Sequence, residues 1–101
     1  MDGPGETGPL RIPIEDSIDL HTFSPKEVVS VVGEYLDEAA RRGFTEVRIV
    51  HGRGTGVQRQ AVRSALARHP LVESFADAPP HAGGWGATVV RLRRGNVTSG
   101  R

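Results

Sequence analysis

The chain has 101 residues, with 13 basic side chains, 12 acidic ones and no cysteine. This length suits one domain with a single modest core, and the lack of cysteine excludes disulfides and zinc–thiolate sites. No apolar run reaches the roughly 18 residues of a membrane span, and the polar first residues do not resemble a signal peptide. We therefore expect a cytoplasmic domain without a membrane partner. The sequence does not reveal the oligomeric state, for which a monomer is our expectation.

Charge is divided unevenly along the chain. Residues 1–40 carry nine acidic and two basic side chains, whereas residues 41–101 carry eleven basic and three acidic ones, so their net charges are −7 and +8. Twelve of the thirteen basic residues are arginine, whose planar donor fork suits phosphate. The basic second half favours a polyanionic partner, but codon bias and ordinary solvated charge explain the composition equally well.

Two segments rich in Gly, Pro, Ser and Thr, residues 1–10 and 95–101, are predicted to be loose tails around a domain at 11–94. Alternating apolar residues predict a first strand within 11–21. The break at 15–17 indicates either a bulge in that strand or its true start.

The first helix has clear signals. Ser24 suits the N-cap, Pro25 the first helical position and Glu27 the third position of a capping box, and Gly43 ends the helix. Glu46 to Val50, rich in β-branched residues, is predicted to be the second strand.

A second capping box, formed by Thr55 and Gln58, predicts a helix that runs to His69 and stops before Pro70. The apolar residues predicted to face the core from this helix are Val57, Ala61, Ala65 and Leu66.

Two more strands, at 71–78 and 87–93, complete the order β-α-β-α-β-β. Right-handed β-α-β crossovers make the first three strands run the same way, and the last strand returns antiparallel, which predicts an α/β domain with a four-stranded mixed sheet. Side chains that follow parallel strands meet at one edge, where ligands bind. The segments expected at this edge are 19–21, 51–56 and 83–86.

Asp19 and His21 lie two residues apart, so a strand would project them to the same side. A carboxylate and an imidazole can bind a divalent metal ion, or act as a base and the group that orients it. Alternatively, Asp19 caps a turn and His21 is a hydrogen-bonding residue at a strand end. His51, which follows the second strand, is expected at the same edge.

The loop His51-Gly52-Arg53-Gly54-Thr55-Gly56 precedes the second helix, where free amides attract phosphate. Arg53 lies in this loop, and Arg59 and Arg63 follow one turn apart. The alternative is a tight turn that needs positive φ angles. Trp85, in its glycine-rich segment, is either a core residue or an exposed platform for a nucleobase.

The order of these motifs resembles that of the Smr (small MutS-related) domain family. The matching segments are Asp19-Leu20-His21, His51-Gly52-Arg53-Gly54-Thr55-Gly56, His69-Pro70 and Gly83-Gly84-Trp85-Gly86-Ala87-Thr88-Val89-Val90. Each is weak alone, but together they are specific and cover about residues 14–93. The resemblance implies a two-layer sandwich similar to the C-terminal domain of translation initiation factor three. It also implies nucleic-acid binding and, as in many members, endonuclease activity.

The resemblance suggests roles for individual residues. The expected catalytic residues are Asp19, His21 and His51, and the first two are also candidates to bind Mg²⁺ or Mn²⁺. Thr22 stands where family members commonly have glycine, and its greater bulk would narrow the site. The residues expected to contact nucleic acid or its phosphates are Gly52, Arg53, Gly54, Thr55, Gly56, Arg59, Arg63, Gly83, Gly84, Trp85 and Gly86.

The sequence therefore predicts a nucleic-acid-binding domain with endonuclease (nicking) activity on DNA or RNA. The main alternative is a binding module without catalysis that recognises branched DNA or ribosome-associated RNA. A protein that binds a small phosphate-containing molecule is disfavoured, because the chain has no long substrate loop.

Overall fold

The computed structural model describes residues 15–93, which form four strands and two helices. In chain order these are β1 (Ser17–Asp19), α1 (Pro25–Arg41), β2 (Glu46–Val50), α2 (Val57–Arg68), β3 (Val72–Asp77) and β4 (Ala87–Leu92). Both predicted tails lie outside the described residues, as do Ile12 and Ile14 of the predicted first strand.

The strands form one mixed sheet in the order β1-β2-β4-β3. β1 is parallel to β2, and β4 is antiparallel to both of its neighbours. β1, β2 and β3 therefore run in the same direction, which confirms the topology predicted from two β-α-β crossovers. The insertion of β4 between β2 and β3 completes the predicted α/β fold.

The two helices pack against each other and, with one face of the sheet, enclose a single apolar core. Alternate residues of β2 and β4 supply the sheet side of this core, as the period of two in a strand requires. The largest fully buried apolar side chains are Leu20, Val28, Val32, Leu36, Val47, Ile49, Val62, Leu66, Val90 and Leu92. Within residues 15–93, no helix is both long enough and apolar enough to span a membrane.

The ends of α1 agree with the sequence signals. The Ser24 backbone amide donates a hydrogen bond to Glu27 Oε1 at 2.9 Å, so the acidic residue satisfies a donor that the helix leaves free. Arg42 is the C-cap, and Gly43 follows it.

The start of α2 differs from the prediction. Its N-cap is Gly56, at φ +90°, and not Thr55. Gln58 does not close a capping box, because its side-chain amide donates to the Phe23 carbonyl at 3.0 Å and so ties α2 to the turn after β1. Val57 is exposed, contrary to the prediction, and Val62 is buried. The predicted core contacts of Ala61, Ala65 and Leu66 are confirmed.

Two short 3₁₀ turns, Pro80–Ala82 and Gly84–Gly86, join β3 to β4. The guanidinium of Arg48, in β2, donates to the Ala82 carbonyl at 3.0 Å and thereby holds the first turn to the sheet. In β3 the pairing with β4 shifts register between Val72 and Ser74, which marks a bulge on this edge strand.

We predict that alanine has opposite effects at Gly83 and Gly33. At Gly83, where φ is +117°, a Cβ would lie 2.9 Å from the Ala87 Cβ, so Gly83→Ala should destabilise the fold by roughly 1–3 kcal/mol. At Gly33, inside α1, a Cβ meets nothing within 4 Å, so Gly33→Ala should stabilise it by about 0.5–1 kcal/mol. Urea unfolding measures both changes, and equal effects would contradict the steric argument.

Candidate functional site

Three segments meet where β1 and β2 end and β4 begins. Asp19, the last residue of β1, pairs with Val50, the last residue of β2. Val50 in turn pairs with Ala87, the first residue of β4. This register brings together the segments that the sequence placed at the edge, which are 19–21, 51–56 and 83–86. We call this place the carboxyl edge.

Asp19 and His21 form a local pair at the carboxyl edge. Asp19 Oδ1 accepts one hydrogen bond from the His21 backbone amide at 3.0 Å and lies 3.0 Å from His21 Nδ1. These two contacts, the backbone one first, lower the pKa of Asp19. The carboxylate therefore stays ionised, and the imidazole is held with Nδ1 towards Asp19.

His51 is buried, with 6% of its surface exposed, and both ring nitrogens have partners. Nδ1 lies 3.0 Å from the Gly52 carbonyl, and Nε2 lies 2.9 Å from Thr88 Oγ1. Because a carbonyl only accepts, we assign the hydrogen to Nδ1, and the Thr88 hydroxyl then donates to Nε2. Burial lowers the pKa of His51 and so favours this neutral form.

His51 and the Asp19–His21 pair lie on opposite sides of the sheet at this edge. Leu20 is fully buried and Ile18 packs against the core, so Asp19 between them faces away from the helices. The ring of His51, by contrast, bonds to a threonine that is fully buried. Within residues 15–93, no group of three or more His, Cys, Asp or Glu side chains could hold a metal ion.

The glycine-rich loop is tied to the start of β4 by its backbone. The Gly86 carbonyl accepts hydrogen bonds from the amides of His51, at 3.1 Å, and Gly52, at 2.8 Å. The Arg53 side chain lies against this turn, since a Cβ at Gly84 would be 2.9 Å from Arg53 Nη2 and one at Gly86 would be 3.1 Å from Arg53 Cγ. Glycine at 84 and 86 thus leaves room for the arginine. The remaining loop residues Gly54 and Thr55 are exposed.

Arg59 and Arg63, on α2, share one carboxylate. Asp77 Oδ1 accepts from Arg59 Nη2 at 2.7 Å and from Arg63 Nη1 at 3.1 Å, and the bond from Arg59 contributes most to the lowered pKa of Asp77. The guanidinium carbons also lie over aromatic rings, that of Arg59 at 5.3 Å from the Trp85 centroid and that of Arg63 at 5.0 Å from the Phe75 centroid. The arrangement is a cationic and aromatic surface that Asp77 partly neutralises.

Two residues on which this site depends, Asp77 and Thr88, were not among the predicted site residues, although Thr88 belongs to the motif at 83–90. Asp77 ends β3, and a signal was available, because polar residues at the end of a parallel strand reach the same edge as those of β1 and β2. Thr88 is the fully buried polar partner of His51. Its position in the alternation of β4, two residues before the apolar Val90, places it on the helix side.

Comparisons with known proteins agree with this architecture. The family model of the Smr domain matches residues 18–93. The Endonuclease MutS2 of Thermus thermophilus is 50% identical to this chain over 76 residues, which are 75% of this chain and 10% of that protein. The chain therefore spans about a tenth of the length of the MutS2 proteins that it matches.

Two solved structures have the same fold. The crystal structure of the Smr domain of Thermus thermophilus MutS2 aligns with a TM-score of 0.73 and 49% identity, over 76% of this chain and 96% of that one. YdaL, a stand-alone small MutS-related protein from Escherichia coli, aligns with a TM-score of 0.74 and 30% identity, over 80% of this chain and 66% of that one.

We predict that His51 makes stability depend on pH near neutrality. Because its pKa is lower in the folded chain than in the unfolded one, its contribution is complete above the unfolded value of about 6.5 and is lost as the pH falls towards the folded value. The melting temperature should therefore drop between about pH 7.5 and about pH 5.5. The drop should be smaller in His51→Gln, which has no titrating ring. Equal drops in both proteins would contradict this assignment.

Proposed function

Since this chain belongs to the Smr domain family, we propose that it binds DNA or RNA at its carboxyl edge and cleaves phosphodiester bonds there. The observation that carries the proposal is that the Asp19–His21 pair and the loop with Arg53 follow two paired strand ends at one edge of the sheet, with Arg59 and Arg63 on the helix side of that edge. The related MutS2 proteins, named endonucleases, support the same interpretation.

Arg53 is the arginine best placed to hold a phosphate. It lies in the exposed loop before α2, against the turn at Gly84 and Gly86. Within residues 15–93, no carboxylate forms a salt bridge with it, whereas Asp77 already engages Arg59 and Arg63. The N-terminal amides of α2, which begins four residues later, add positive potential for an anion.

We assign the chemical step to the Asp19–His21 pair. With Nδ1 hydrogen-bonded to the carboxylate, His21 Nε2 can take a proton from a water molecule as its oxygen attacks phosphorus. The bond from phosphorus to the leaving oxygen then breaks, and that oxygen receives a proton from solvent. Arg53 would stabilise the charge that develops on the phosphate oxygens.

His51 receives a positioning role in this proposal. Both of its nitrogens are engaged inside the protein, so proton transfer to a substrate would first break a buried hydrogen bond. Its bonds to Gly52 and Thr88 instead fix the start of the loop that carries Arg53.

A divalent ion bound by Asp19 and His21 would need further ligands from the substrate and from water. Asp19 and His21 supply one carboxylate and one imidazole, and Mg²⁺ often combines one or two carboxylates with substrate phosphates and water. An ion bound there would polarise the phosphate. The side chains of this protein perform the proton transfer in either case.

Arg53→Ala should weaken nucleic-acid binding about tenfold, because it removes a charged donor to phosphate. It should also lower the slope of log affinity against log salt by about one, with a similar loss on most sequences. Fluorescence anisotropy between about 50 and about 200 mM salt measures both quantities.

Arg68→Ala is the matched control, because Arg68 is exposed at the opposite end of α2. The proposed interface would be wrong if Arg68→Ala weakened binding as much as Arg53→Ala, or if wild-type binding did not respond to salt.

Asp19→Asn and His21→Gln should each reduce cleavage by a factor of roughly 10² or more, with folding and binding almost unchanged. The side chains are 57% and 76% exposed, respectively, so the substitutions remove little buried area. Nicking of supercoiled plasmid and cleavage of a labelled structured RNA, each with Mg²⁺, Mn²⁺ or EDTA, measure the activity.

His81→Gln controls for the loss of an exposed histidine to which no role is assigned, and thermal melting controls for folding. Full cleavage by folded Asp19→Asn would exclude Asp19 from the reaction. A wild-type protein that binds both nucleic acids but cuts neither would favour the non-catalytic binding module.

A further inference from the structure

Trp85 is a large aromatic side chain outside the core. It lies in the 3₁₀ turn between Gly84 and Gly86, and 41% of its surface is exposed. Val57, at the start of α2, is 56% exposed. Of the three large apolar side chains that are exposed within residues 15–93, these two lie at the carboxyl edge, which indicates a contact surface more than a packing defect.

The ring of Trp85 is held from within the protein. The Arg59 guanidinium lies over the ring, and Asp77 holds that guanidinium at 2.7 Å. Arg59 Nε is buried and has no acceptor among the described residues, an arrangement that stability alone does not favour. The cost is explained if Arg59 is placed to orient the ring for a ligand.

Arg53, the arginine proposed to hold a phosphate, lies against the turn that carries Trp85. Arg53 Nη2 would be 2.9 Å from a Cβ at Gly84, the residue that precedes Trp85. The carboxyl edge therefore offers an exposed aromatic ring at residue 85 and a guanidinium in contact with the residue before it. A single nucleotide matches both, because it combines a flat base with a charged phosphate.

We infer that Trp85 stacks on an unpaired nucleobase while Arg53 contacts a phosphate of the same strand. This inference rests on the proposed nucleic-acid binding and adds a substrate class to it, namely DNA or RNA with single-stranded or unstacked nucleotides. A continuous duplex keeps its bases stacked inside the helix, and exposing one costs a few kcal/mol. Loops, ends and junctions present bases without that cost.

The test uses the fluorescence of Trp85, which is the single tryptophan of the chain. The full chain is titrated with oligothymidylate of about 12 nucleotides, with oligouridylate of the same length and with an abasic strand that has the same number of phosphates. The two base-containing strands should quench the emission and the abasic strand should not. Trp85→Ala should weaken binding of the base-containing strands about 5- to 100-fold and leave the abasic strand unchanged.

Two further variants distinguish stacking from charge. Trp85→Phe, which keeps an aromatic face, should retain part of the preference for strands with bases. Arg53→Ala should weaken binding of base-containing and abasic strands alike. Melting curves confirm that each variant is folded, as expected for exposed side chains.

The outcomes separate this inference from the proposal on which it rests. Equal binding of base-containing and abasic strands, without a change in Trp85 emission, would overturn stacking and leave phosphate binding intact. Failure of every strand and of a duplex to bind would overturn both. A response to thymidylate but not uridylate, or the reverse, would support stacking and identify which nucleic acid the site accepts.

Discussion

The carboxyl edge depends on one carbonyl oxygen. Gly86 O accepts hydrogen bonds from two consecutive amides, those of His51 and Gly52, and so joins the end of β2 to the turn before β4. This contact is possible because β4 lies between β2 and β3 and runs against both. It brings two loops so close that side chains at 84 and 86 would collide with Arg53. The glycines at 84 and 86 follow from that proximity, whereas those at 52, 54 and 56 meet no neighbour and instead have positive φ angles.

Histidines at one edge of the sheet serve two different purposes. His21 is exposed and oriented by a carboxylate two residues away, an arrangement that needs only a local turn. His51 is buried and depends on a partner 37 residues later in the chain. The contact within a short polar motif can therefore be predicted from sequence when it depends only on neighbouring residues. The environment of His51, by contrast, depends on the strand pairing that brings Thr88 next to it.

Features that depend on local sequence were predictable, whereas those that depend on long-range contacts were not. β2, α1 and the direction of all four strands follow from local apolar patterns and from crossover handedness, and these predictions were confirmed. The cap of α2 was wrong, because Gln58 finds a partner in the turn after β1, which local spacing does not reveal. The sequence also did not predict that Asp19 and His51 lie on opposite faces of the sheet. Their placement depends on the burial of Ile18 and Leu20 beside Asp19 and of Thr88 beside His51. The ion pairs of Asp77 were not predicted, because its arginine partners lie 14 and 18 residues away in the chain.

The bulge in β3 has a consequence for how copies of this chain meet each other. An edge strand normally presents a regular row of free amides and carbonyls, which another chain can extend by pairing. The register shift between Val72 and Ser74 interrupts that row, and β1, at the other edge, is three residues long. Both margins are thus poor templates for strand addition. The sheet can stay open on its helix-free face and still resist fibrous self-association.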